Sequence, residues 1–153
     1  MYRQEQKDKK REQLVHLAYE LINSTTSILN KIDSYINLAD TIKNDRVKGI
    51  EYRSNESMMN ENALSSIKIE LLIYCFNLRM LASYFNVSDK IKNEIKLLEG
   101  NIARLTEMEE YIEFHDGIHS FIGGKAYALN EDIKKNINII NSKFLCKEII
   151  YKE

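Results

Sequence analysis

The chain has 153 residues, 44% of them hydrophobic and 29% charged, and a net charge of -1. That length suits one domain with a core of useful size, and so balanced a charge supplies no global field for nucleic acid or acidic membranes. Proline is absent, where about seven or eight would be ordinary, and only five glycines occur. Proline breaks helix interiors and favours turns, so the composition predicts long helices with few structured loops. Heavy use of Ile, Asn and Lys points to an AT-rich bacterial or phage genome.

The chain opens with Arg3, Lys7, Lys9, Lys10 and Arg11 interleaved with Glu5, Asp8 and Glu12, and no apolar seam. This reads as a charged helical extension over residues 1–13, laced by ion pairs and offering a basic surface to an acidic partner or an anionic membrane. From Leu14 the spacing changes. Leu14, Ala18, Leu21, Thr25, Ile28, Ile32, Tyr35, Ala39 and Ile42 follow a 4-3 repeat, the seam of a long helix packed at a shallow angle. A single helix over about 3–44 is predicted, then a connection to residue 60.

The second helix, about 60–86, repeats the seam with Leu64, Ile67, Leu71, Tyr74, Leu78, Leu81 and Phe85. It carries a second apolar stripe at Ile69, Leu72, Ile73, Phe76 and Met80, a breadth that predicts the most buried helix of the set. Asn86, Ser88 and Asp89 form a short link, which favours an antiparallel hairpin. The third helix, about 89–115, buries Ile91, Ile95, Leu98, Ile102 and Leu105 and stops at Gly117. A connection containing Gly123-Gly124 leads to a fourth helix over about 126–151, with Ala126, Leu129, Ile133, Ile137, Ile140 and Phe144 facing inward. Ile139, Leu145, Ile149 and Ile150 lie off that line and predict exposed apolar surface near its end. The expected fold is all-α: one domain over 1–153, an antiparallel up-down-up-down four-helix bundle with a long first helix.

Catalytic and metal chemistry find little support. His115, Asp116 and His119 are the densest group of candidate ligands, since a His pair at i, i+4 chelates one ion from a single helix face; here Gly117 intervenes, and ordinary polar residues at a helix end explain the group better. Di-iron bundles need Glu-x-x-His on two helices, and the chain's nearest variant, Asp116-x-x-His119, occurs once. Arg11 and His16 meet the Arg-to-His spacing of HEPN-type RNases, but at the charged start of a helix. Gly123-Gly124-Lys125 fails the Walker pattern because Ala126 follows the lysine. Cys75 and Cys146 lie in apolar helical segments without a CxxC partner and read as reduced core thiols. No run is apolar enough to span a bilayer, and the polar N-terminus does not read as a signal peptide.

Leu78-Arg79-Met80-Leu81-Ala82-Ser83-Tyr84-Phe85, followed by a turn and a new heptad helix, resembles a pattern in small, mostly uncharacterised bacterial proteins. In these one membrane span leads into a charged stem and an antiparallel helical domain. Their second helix often ends in a tyrosine-phenylalanine-proline turn; Asn86 stands here in place of that proline. The resemblance implies a membrane span ahead of Met1, with the stem beside anionic lipid on the cytoplasmic side. The resulting expectation is a non-enzymatic, cytoplasmic helical bundle, without a cofactor, that acts through contact with a protein partner. Self-association as a homodimer through the long first helix and the fourth helix is a further expectation, and nucleic acid is disfavoured. The alternatives are a small phage or mobile-element protein that regulates a host factor, and a ligand- or metal-binding helical sensor.

Overall fold

Leu14 is the first buried side chain among the described residues, and the 4-3 seam follows from it: Ala18, Leu21, Ile28, Ile32 and Tyr35 are all buried. The computed structural model describes residues 2–47, 55–114 and 119–150. Among these, every element is helical and no strand occurs: α1 (Tyr2–Asn23), α2 (Thr25–Val47), α3 (Asn55–Tyr84), α4 (Asp89–Phe114) and α5 (His119–Ile140), the last continued by a π-helical segment, Asn141–Ile150.

The single first helix expected from the spacing is divided at Ser24. The backbone ladder nevertheless runs through: Ser24 N donates to Glu20 O and Ile28 N to Ser24 O, both at 2.9 Å. The hydroxyls of Ser24 and Thr25 both donate to the carbonyl of Leu21, at 3.0 and 3.1 Å. Hydroxyls competing for a carbonyl of the preceding turn loosen and bend a helix, and the run Ser24-Thr25-Thr26-Ser27 concentrates such residues.

The α3–α4 link is built from its own sequence. Val87 N donates to Ala82 O, and Asn86 adopts φ 49°. A six-to-one hydrogen bond with a left-handed residue inside it is the Schellman ending, in which asparagine is tolerated next after glycine. Proline, with φ locked near -65°, cannot take this position. Ser88 then caps α4: its Oγ accepts from Ile91 N at 3.4 Å, and its carbonyl from Lys92 N at 3.1 Å.

Two expectations at the end of the chain are corrected. α5 begins at His119, not near 126, and so runs through Gly123 and Gly124; glycine weakens a helix by about 1 kcal/mol relative to alanine without forbidding it. The exposed apolar surface expected near the end of the last helix is not found at Leu145 and Ile149. Both are buried, together with Ile140 and Phe144. The wider i→i+5 winding of the π segment re-phases the chain, so positions 140, 144, 145 and 149 share the inner face, which packs on α1.

Two polar clusters link the helices. Asn101 Nδ2 donates to Asn136 Oδ1 at 2.9 Å, and Asn136 Nδ2 to Glu94 Oε2 at 3.0 Å, tying α4 to α5. Asn130 Nδ2 donates to Asp33 Oδ1 at 2.6 Å, with Lys134 Nζ 3.3 Å from the same oxygen, tying α2 to α5. Paired polar groups at a helix seam penalise a slipped register, because a shift leaves them unsatisfied.

Candidate interaction surfaces

α3 is apolar on two sides, and only one is covered. Leu64, Leu71, Tyr74, Leu78 and Leu81 face the core at 2% exposure or less. Ile69, Leu72, Ile73, Phe76, Met80 and Tyr84 form a second row, and each is exposed. The expectation that a broad apolar surface makes this the most buried helix is therefore corrected: the second stripe faces outward. Residues at i, i+4, i+7, i+11 and i+15 fall on one side of an α-helix, so 69, 73, 76, 80 and 84 make a continuous ridge. Ion pairs flank it. Lys31 of α2 pairs with Glu70, and Arg79 Nε lies 2.8 Å from Glu99 Oε1 of α4.

The N-terminal stem meets one end of this ridge. Residues 2–13 are exposed along their whole length, including Arg3, Lys7, Lys9, Lys10 and Arg11. Lys10 Nζ sits 5.7 Å from the centroid of the Tyr84 ring, a cation–π distance, and Tyr84 meets Phe85 edge to face at 5.1 Å. An open groove of about 500 Å³ lies between the stem and α3, lined by Lys10 and Leu14 on one side and Phe76, Met80 and Tyr84 on the other. Within the stem itself, Gln4 Nε2 donates to Asp8 Oδ1 at 3.2 Å.

Other candidate chemistry is placed as follows. Arg11 and His16 both line a shallow groove along α1, together with Asp8, Glu12 and Tyr19 of the same helix, and His16 Nε2 lies 3.2 Å from Glu20 Oε1. Cys75 is buried, and its thiol is pushed up to about 12 by that burial, with the Glu99 carboxylate adding to the effect and Arg79 opposing it. A thiol held protonated is neither a nucleophile nor a ready metal ligand. Burial likewise raises the Tyr74 phenol well above its ordinary value. His115 and Asp116 lie outside the described residues, as does the side chain of His119. Among the described residues, no three His, Cys, Asp or Glu side chains come together as metal ligands, and no helix is long and apolar enough to cross a membrane. Comparison with protein-family models, with curated proteins and with solved structures finds no match.

The ridge was visible in the sequence as a second stripe. What the spacing could not supply was its direction, because α2, α4 and the core beneath them fill one side of α3 only.

Proposed function

We propose that the chain is a non-enzymatic interaction module built as an antiparallel up-down-up-down four-helix bundle. α1 and α2 together form its first member, and α5 with the π segment its fourth. The packing supports this arrangement. α2 lies on α3, α3 on α4 and α4 on α5, while the ring closes through α1 against the π segment and α2 against α5. The early half of the first member thus meets the late half of the last, as antiparallel neighbours must.

The observation that carries the interaction role is the outer ridge of α3. Contiguous exposed apolar area, rimmed by polar residues, marks a docking surface on a soluble domain. Here the apolar centre holds Phe76 and the rim holds two ion pairs. Alongside it, the basic stem is the part suited to an anionic surface, and a cytoplasmic position beside a membrane is part of the same proposal.

The test is photo-crosslinking in the cells that make the protein, with benzoylphenylalanine replacing Phe76 in one variant and the exposed α4 residue Lys92 in another. Position 76 is expected to yield a discrete protein adduct and position 92 none. The absence of any protein adduct from position 76 would sink the reading.

A further inference from the structure

We infer that the outer ridge of α3 pairs with the same ridge of a second copy of this chain, antiparallel and about a two-fold axis beside Phe76. This rests on the docking role proposed above and names its occupant.

The first argument is spacing. A two-fold contact requires a surface that is its own complement, residue i meeting j while j meets i. Ile69 and Ile73 lie four apart on one side of Phe76, and Met80 and Tyr84 lie four apart on the other. Reversed about the midpoint between 76 and 77, the four outer positions reproduce themselves: Ile73 comes opposite Met80 of the second copy and Ile69 opposite Tyr84, while Phe76 comes level with Asn77, one residue from Phe76 of the second copy.

The second argument is charge. Along its middle the ridge is bordered by ionic groups matched inside the chain, Lys31 with Glu70 and Arg79 with Glu99. Two such matched stretches meet without like-charge repulsion, and the middle of the ridge presents no net sign for an oppositely charged partner. A membrane-surface helix instead flanks its apolar face with lysine and arginine.

The third argument is area. Six side chains between 38% and 58% exposed, Met80 at 39% among them, present on the order of 600 Å². Two copies together bury about 1,200 Å², the lower bound for a specific interface. An aromatic residue at the centre of such a patch is the typical hot spot.

The experiment is sedimentation of the purified chain from about 1 to 100 μM, the range in which an interface at that lower bound is expected to associate. A species of twice 18.0 kDa is expected to grow with concentration. Phe76→Glu should weaken it by at least about 30-fold with helicity unchanged; if F76E loses helicity, Ile73→Gln takes its place. Register is read separately in a Cys146→Ser background. Chains carrying Ile73→Cys mixed with chains carrying Met80→Cys are expected to form an intermolecular disulfide, and either chain alone is not. A chain that stays at 18.0 kDa throughout, or a dimer indifferent to both ridge substitutions, overturns the inference. So does a dimer whose cross-links do not require the mixture. A monomer in solution whose position 76 crosslinks to a different protein in cells overturns the second copy as occupant while leaving the docking role in place.

Discussion

Leu71 and Leu72 are neighbours in α3, yet Leu71 is fully buried and Leu72 is 55% exposed. The same contrast runs the length of the helix, with Leu78 against Met80 and Tyr74 against Phe76. The two faces are alike in composition and differ only in what lies across from them. The inner face meets α2 and α4; the outer face meets solvent. Apolar character alone therefore does not rank a residue's contribution to stability. The inner face holds the fold together, and the outer face is apolar at a cost in solubility, which the docking role proposed above would account for.

The largest expected effect separates those neighbours directly. Leu71→Ala should destabilise by about 2–5 kcal/mol through lost burial and a residual cavity, whereas Leu72→Ala should stay within about 0.5 kcal/mol in the monomer. Urea unfolding followed by circular dichroism at low protein concentration measures both. Equal losses for the two variants would erase the distinction between the faces.

A smaller effect uses the pair Cys75 and Phe76. The buried thiol is raised to about 12 from the ordinary value of 9.0. Its folded-state pKa lies above its unfolded one, so its contribution is fully present below pH 9 and is lost as pH rises toward 12. At pH 10.5 the loss is on the order of 2 kcal/mol. Cys75→Ala should therefore lose less of its urea midpoint between pH 7.5 and 10.5 than the parent does. Phe76→Ala, carrying no titrating group, should track the parent. Parallel pH profiles for parent and Cys75→Ala would show that the thiol is not sealed in.

The smallest effect belongs to the stem, which is exposed like the outer ridge but polar. Deleting residues 2–9 removes no buried side chain and spares Lys10 on Tyr84, so the melting temperature should shift by no more than about 1 °C. Binding to vesicles rich in phosphatidylserine should weaken, since each basic residue near such a surface contributes about 1 kcal/mol, and the difference should vanish at high salt. Equal sedimentation of the intact and shortened chains with these vesicles at low salt would remove the membrane role of the stem.

Much of the helical organisation was legible in the spacing. The seam residues of α1, α3 and α4 lie where a 3.5-residue repeat puts them, from Leu14 and Ala18 to Ile95 and Ile102, because a sustained repeat permits one continuous buried stripe. Ser88 was legible as part of the short link between α3 and α4. The division at Ser24 was not: Thr25 reads as an ordinary member of the repeat, and only the two hydroxyls converging on the Leu21 carbonyl mark the break. Leu145 and Ile149 were misplaced because a 3.6-residue period does not describe a π segment. Of the interaction surfaces, the charges of the stem were plain in sequence. The outward aim of the α3 stripe was not, since it depends on which neighbours the helix acquires.

The contact between α1 and the π segment bears on how the protein is made. Leu14, Ala18 and Leu21 leave the ribosome early, but Phe144, Leu145 and Ile149, which share the core with them, follow more than a hundred residues later. At ordinary rates of synthesis that delay is on the order of 10 s. Through the first part of it α1 has neither of its later neighbours, α3 or the π segment, and to its end α1 lacks the π segment, so part of its apolar stripe stays open to chaperones or to other nascent chains. This domain is thus most exposed to misassembly while it is being synthesised, before the π segment arrives.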